Sequence, residues 1–528
     1  MQFLKNILAT IIGLFTFFIL LFFLLAGISA IGSSNVVEVE PGTVLKISLD
    51  RPLQERVEQE DPFAGLDLGP LSSTTPIGLV ELKNALASAK ADERINGIYL
   101  DLSVVFGGLA QLKEIREALL EFKESGKFII AYSEILSEQG YYLASVADEI
   151  YLLPTGAMEF NGFASVITFY SGLLEKLGIE PEIIRVGDFK SAAEPFLLKE
   201  MSDESRLQTQ AYLDSLHKVF LGDISETRNI PVNLLEEISS EFVIRTPGDA
   251  VANKIITDTA YYDEVMNTLR GKLGLAEDGD VKFISLNKYL KAEKKAASGY
   301  SRNKISVIIG EGNIISGQSA DGFIGSESFA SDLRKAREDD NVKAVVLRIN
   351  SPGGSALASD VMWREVVLTR QKKPVIASMS SVAASGGYYM AMGCDTIVAN
   401  PNTVTGSIGV ILTLFTAEEL LEERLGLNFD VVSTGEFSNF ANPVNKLTET
   451  EREILSKQAY QTYEDFVRKV ASGRNLSVDS VKALAGGRVY AGIEAKKLGL
   501  VDVLGNLEDA IAIAASSAGV EDDYRLVY

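Results

Sequence analysis

One histidine and one cysteine stand in a chain of 528 residues, and each scarcity removes a class of chemistry. The lone Cys394 permits no internal disulfide and no cysteine cluster for a metal, so cysteine usage leaves the redox compartment open. Its strand-like surroundings before Asp395 suit a buried structural thiol. With His217 alone, a Ser-His-Asp triad is built on that residue or not at all, and a multi-histidine zinc site is excluded. His217 lies in a helical pattern, Ala211 to Leu221, whose Leu213, Leu216 and Phe220 mark a buried stripe, so it reads as incidental. Positive charge is also short. Against 72 Asp and Glu the chain sets 50 Lys and Arg, and a net charge of −22 repels phosphate backbones, so nucleic acid is not an expected partner. The acid-rich stretch Glu55 to Asp61 reads as a solvated segment and not a metal site, and Trp363 as core or interface.

The long uncharged run is at the N-terminus. Ile7 to Ile31 is rich in Phe, Leu and Ile, long enough to cross a hydrocarbon core of about 30 Å and longer than the apolar stretch of a cleaved signal peptide. It is expected to be a transmembrane anchor over residues 7–31. Lys5 and the α-amino group are the positive charges before it, which puts residues 1–6 in the cytoplasm and the rest outside.

After the anchor the sequence repeats itself. Leu86 to Leu102 lines up with Leu333 to Ile349 without a gap at an offset of 247, each reading as helix, turn and buried strand. Gln139 to Ala144 faces Gly386 to Ala391, Asp148 faces Asp395 and Pro154 faces Pro401 at the same offset. A period this long is a duplicated domain and not a solenoid unit. The expected organisation is a first domain over 40–275, a polar, Lys-rich linker over 276–300 and a second domain over 301–528. Apolar runs such as Ala344 to Leu347 alternate with helical stretches such as Leu357 to Gln371, the rhythm of an α/β domain with strands buried on both faces.

The two copies differ where chemistry would sit. Ser385 has Glu138 as its counterpart in the first copy, whereas Lys190 in the first copy faces Ser438 in the second. One half offers a hydroxyl and the other an amine. With one histidine in the chain, lysine or a carboxylate remains to activate the serine, and lysine serves only when its pKa falls toward neutrality through desolvation or a neighbouring cation. Phe189 before Lys190 and Ser191-Ala192-Ala193 after it leave that position uncharged until Glu194. Ala383 to Gly387 suits either an oxyanion-binding backbone or a plain strand-to-helix turn, and Asn350 to Ser355 either a second oxyanion donor or a strand end.

Four motifs then carry a resemblance. Arg348 to Ser355 (RINSPGGS), Ser381 to Tyr389 (SVAASGGYY), Thr405 to Gly409 (TGSIG) and Asp188 to Phe196 (DFKSAAEPF) resemble the signal peptide peptidase A, or protease IV, family in its long form. The likeness extends to Gly487 to Tyr490 and Gly499 to Asp502. It implies a duplicated α/β fold of the crotonase/Clp-protease type, with Ser385 as nucleophile and Lys190 as general base. It further implies that Ser407 orients the lysine and that the N–H groups of Gly354 and Gly386 form the oxyanion hole, without metal or cofactor. The counterpart of Ser407 in the first copy is Phe160. The family would make this a homotetrameric endopeptidase of the bacterial inner membrane that degrades signal peptides and other hydrophobic peptides on the extracytoplasmic side. Two rival readings are a crotonase-like hydrolase or hydratase of acyl-CoA esters and a catalytically silent membrane scaffold.

Overall fold

The computed structural model describes residues 5–7, 9–20, 38–57, 76–293 and 301–528. Residues 38–293 build around a six-stranded parallel sheet in the order Asp258–Thr259, Glu149–Met158, Phe128–Leu136, Ile95–Asp101, Thr43–Ser48, Phe283–Ser285. Residues 301–528 repeat the plan. Arg525–Val527, Lys304–Glu311, Val342–Ser351 and Val375–Ala384 run side by side, and the last continues into Thr396–Ala399 with Val503–Leu504, and into Val404–Gly406 with Val489–Ala491.

The continuous apolar run at Ala344 to Leu347 follows from cover on both faces. Val345 and Leu347 pack under the helices Ser326–Glu338 and Ala356–Arg370, while Ala344 and Val346 pack under Leu507–Ala518. The duplication extends to single bonds. Lys127 donates to the carbonyls of Ala89 and Asp92, and Lys373 to those of Ala336 and Asp339. The helices Asp203–Arg228 and Glu449–Arg474 are both 26 residues long and end on Asn229 and Asn475, both at φ 53 and ψ 42. A left-handed C-cap suits asparagine, whose short polar side chain tolerates that conformation.

Two features depart from the sequence reading. The stretch read as a linker supplies the strand Phe283–Ser285 and the helix Leu286–Glu293 to the first half, because Ile284, Leu286 and Tyr289 are buried there while Lys288 and Lys291 face out. Glu55 is not solvated: it is fully buried against Arg348, with Nε to Oε2 at 2.7 Å. Residues 58–61 of the same acidic stretch lie outside the described residues. At the N-terminus, residues 9–20 are helical with their apolar side chains exposed, Phe15 and Leu20 among them. Among the described residues no helix is long and apolar enough to cross a membrane, and residues 21–31 of the expected span lie outside them.

Two of the contacts that join the halves bear on the site. An antiparallel ribbon pairs Glu180–Val186 of the first with Val410–Thr416 of the second. A buried charge cluster sets Arg348 between Glu55 and Glu114, with Ser378 and Ser380 on its other N–H groups.

Candidate active site

The strand Val375–Ala384 stops at Ser385, and the helix Gly386–Ala391 starts one residue later. Ser385 makes that corner at φ 54 and ψ −116, a conformation an L-residue holds only when its surroundings impose it. They do: its N–H donates to Gly406 O at 2.9 Å and its carbonyl accepts from Tyr389 N–H at 2.9 Å. The glycine turn beside it is locked as tightly. Ser351 Oγ donates to Gly312 O at 2.7 Å and accepts from Gly353 N–H at 3.1 Å. A β-carbon on Gly353 would sit 2.6 Å from Gly386 N, and one on Gly354, at φ 151, would sit 2.2 Å from Ile314 O. Glycine is therefore required for the turn to approach Ser385 this closely. Among the described residues the N–H groups of Gly354 and Gly386 donate to no protein acceptor, and both residues line the same cavity as Ser385.

Lys190 arrives from the other half. The ribbon strand ending at Val186 delivers the turn Gly187 to Lys190 against Gly486 and Gly487, where Phe189 N–H donates to Gly486 O at 2.9 Å. A β-carbon on Gly487 would lie 2.6 Å from that of Lys190, so the contact is backbone on side-chain root. Lys190 Nζ then lies 3.1 Å from Ser385 Oγ and donates to the carbonyl and hydroxyl oxygens of Ser407, each at 2.9 Å. Ser407, also at positive φ, is fixed by its N–H to Arg488 O at 2.7 Å. Lys190 is 5% exposed, and among the described residues no carboxylate pairs with it. The nearby Glu194 is committed to Ser202 and Arg185. Burial alone pushes the Lys190 ammonium down from 10.5 to about 8.

The structure thus brings together Ser385, Lys190, Ser407, Gly354 and Gly386. Their counterparts do other work. Glu138 Oε1 accepts from the N–H groups of Asn161 and Gly162, Phe160 packs edge-on against Tyr141, and Ser438 is exposed on a turn. His217 is half-buried between Phe163 and Phe220, and Cys394 is buried, its thiol pushed up by desolvation. Sequence reasoning did not find Gln208. Its amide bonds Phe189 O, Ser191 Oγ and Val489 N–H around Lys190, and a glutamine inside an amphipathic helix gives no signal of such a task.

Two cavities, each about 430 Å³, meet at Ser385 and Lys190. One is walled by Phe189, Pro195, Tyr212 and Val489, the other by Val410, Leu412, Leu455 and Phe466. The geometry fits a nucleophile, a base and two oxyanion donors with mostly apolar room on either side.

The profile of peptidase family S49 matches residues 121–276 and 368–521, one stretch in each half. The "Serine protease SPPA, chloroplastic" of Arabidopsis thaliana is 36% identical over 84% of this chain and 66% of its own. "Protease 4" of Haemophilus influenzae is 37% identical over 81% of this chain and 71% of its own, and "Protease 4" of Salmonella typhi 35% identical over 83% and 72%. Among solved structures, a ClpP1 mutant from Listeria monocytogenes aligns with 39% of this chain and 94% of its own at 17% identity and a TM-score of 0.27, too low to carry an argument.

Proposed function

This chain belongs to peptidase family S49, in a duplicated form that makes it a serine-type endopeptidase, and on that premise we propose that Ser385 and Lys190 are its catalytic dyad. The observation that carries the proposal is the buried, carboxylate-free amine 3.1 Å from the strained serine. Neutral Lys190 takes the proton from Ser385 Oγ as that oxygen attacks the scissile carbonyl. The oxyanion so formed accepts from the N–H groups of Gly354 and Gly386, which among the described residues have no other partner to give up. Lys190 returns the proton to the leaving amine as the C–N bond breaks, and an acyl-enzyme on Ser385 remains. Water, deprotonated by Lys190, then attacks the ester and frees Ser385. Ser407 holds Nζ through its hydroxyl and carbonyl oxygens throughout.

The substrates in this reading are hydrophobic peptides, signal peptides among them, since apolar walls flank the dyad on both sides. The exposed apolar helix over residues 9–20 supports a single-pass anchor in a bacterial inner membrane, with both halves on the extracytoplasmic side. Exposed Val166 and Val432 suit burial against further copies, as in a homotetramer. A serine-directed fluorophosphonate read by peptide mass spectrometry tests the nucleophile: label is expected on Ser385, and much more slowly in Lys190→Ala. Label elsewhere, or none on folded protein, contradicts the assignment.

A further inference from the structure

We propose that Gln208 is a positioning residue for the general base, holding the backbone on both sides of Lys190 against the second half. The inference rests on the dyad reading above. Gln208 stands on the helix Asp203–Arg228 of the first half and is 5% exposed, an unusual place for a primary amide unless its polar atoms are satisfied. They are. Its Nε2 donates to Phe189 O at 2.9 Å and to Ser191 Oγ at 2.8 Å, the residues immediately before and after Lys190. Its Oε1 accepts from Val489 N–H at 3.3 Å.

Val489 opens the strand Val489–Ala491, which pairs antiparallel with Val404–Gly406, and that strand leads directly into Ser407. One amide therefore ties the lysine turn to the segment that presents the lysine's other partner. Gln208 lines a cavity of the site, yet both of its N–H bonds are spent on the protein, so it has no donor left for a substrate. The turn's other backbone bonds are Lys190 N–H to Gly187 O at a long 3.3 Å, Ser191 N–H to Phe189 O at 2.9 Å and Phe189 N–H to Gly486 O at 2.9 Å, the last alone reaching the second half. A lysine carries its amine at the end of four rotatable bonds, so the placement of Nζ depends on how firmly the Cα is held.

The test is steady-state peptidase kinetics across pH on the full chain in detergent, for wild type, Gln208→Leu, Lys190→Ala and the double variant. Gln208→Leu keeps the bulk and removes all three bonds. Its kcat is expected to fall by up to about 100-fold with KM little changed. The acid limb of its pH profile is expected to move to higher pH as the freed amine regains water. In the Lys190→Ala background, read as the rate of fluorophosphonate labelling of Ser385 because peptide turnover is lost there, the same change is expected to add nothing. An unmoved profile with undiminished kcat overturns the inference, as does a second, equal loss without the lysine. Should Lys190→Ala itself keep full activity, the dyad reading falls instead, and the two failures are thereby told apart. If Gln208→Leu does not fold, Gln208→Met decides, since its unbranched side chain fits the same space and still removes the amide's bonds to Phe189 O, Ser191 Oγ and Val489 N–H without adding a charge. Its acid limb must also move upward, and an unshifted limb overturns the proposal.

Discussion

Burial both costs Lys190 stability and makes it useful. The unfolded chain keeps the lysine near 10.5 and the fold brings it to about 8, so between those values the unfolded state holds a proton that the folded state has released. Stability therefore rises with pH across that window, and below it the whole penalty applies, a fall worth about 3 kcal/mol. Lys190→Met is expected to gain roughly 1–3 kcal/mol in urea unfolding at pH 7, with the gain fading toward pH 10.5. A variant no more stable than wild type at pH 7 would mean that the amine is not desolvated. Ser385 and Lys190 could be singled out in the sequence because the duplication shows each present in one copy and absent from the other. Glu55 could not. Its partner Arg348 lies 293 residues away, and an acid among acids reads as solvent-facing until that partner is seen.

At the scale of elements, glycines set the distances. Gly353, Gly354 and Gly487 place backbone where a β-carbon would collide, and their turns bring the Gly354 N–H and Lys190 to the serine. Gly354→Ala must move the turn away from Ile314, and kcat is expected to drop by about 100-fold or more with fluorophosphonate labelling of Ser385 reduced far less, because the oxyanion donor and not the nucleophile is displaced. Undiminished kcat would show that Gly354 N–H serves no oxyanion. The strands and helices that carry these turns were readable from their apolar periodicity, and the α/β class with them. The ribbon of Glu180–Val186 with Val410–Thr416 was not, because its strands come from different halves and local pattern says nothing about which distant segment a strand will pair with.

Across the whole molecule, the proposed dyad needs the two halves in register, and the charge cluster under the serine strand spans both of them. Arg348 is fully buried with Glu55 and Glu114 of the first half, and Ser380, on its NH2, stands five residues before Ser385 on the same strand. Arg348→Met would leave Glu55 buried without its cation and Glu114 with Lys83 alone. A loss of about 3–5 kcal/mol at pH 7 is expected in urea unfolding. A stability equal to wild type would mean that the cluster does not hold the halves. The most direct test of the shared site is cleavage of a detergent-solubilised signal-peptide substrate across pH by wild type, Ser385→Ala and Lys190→Ala. Wild-type kcat/KM is expected to rise through about pH 8 as the lysine loses its proton, and both folded variants are expected to be inactive at every pH. Undiminished cleavage by either variant, or a wild-type rate that does not change through that range, would contradict a reaction divided between the two halves.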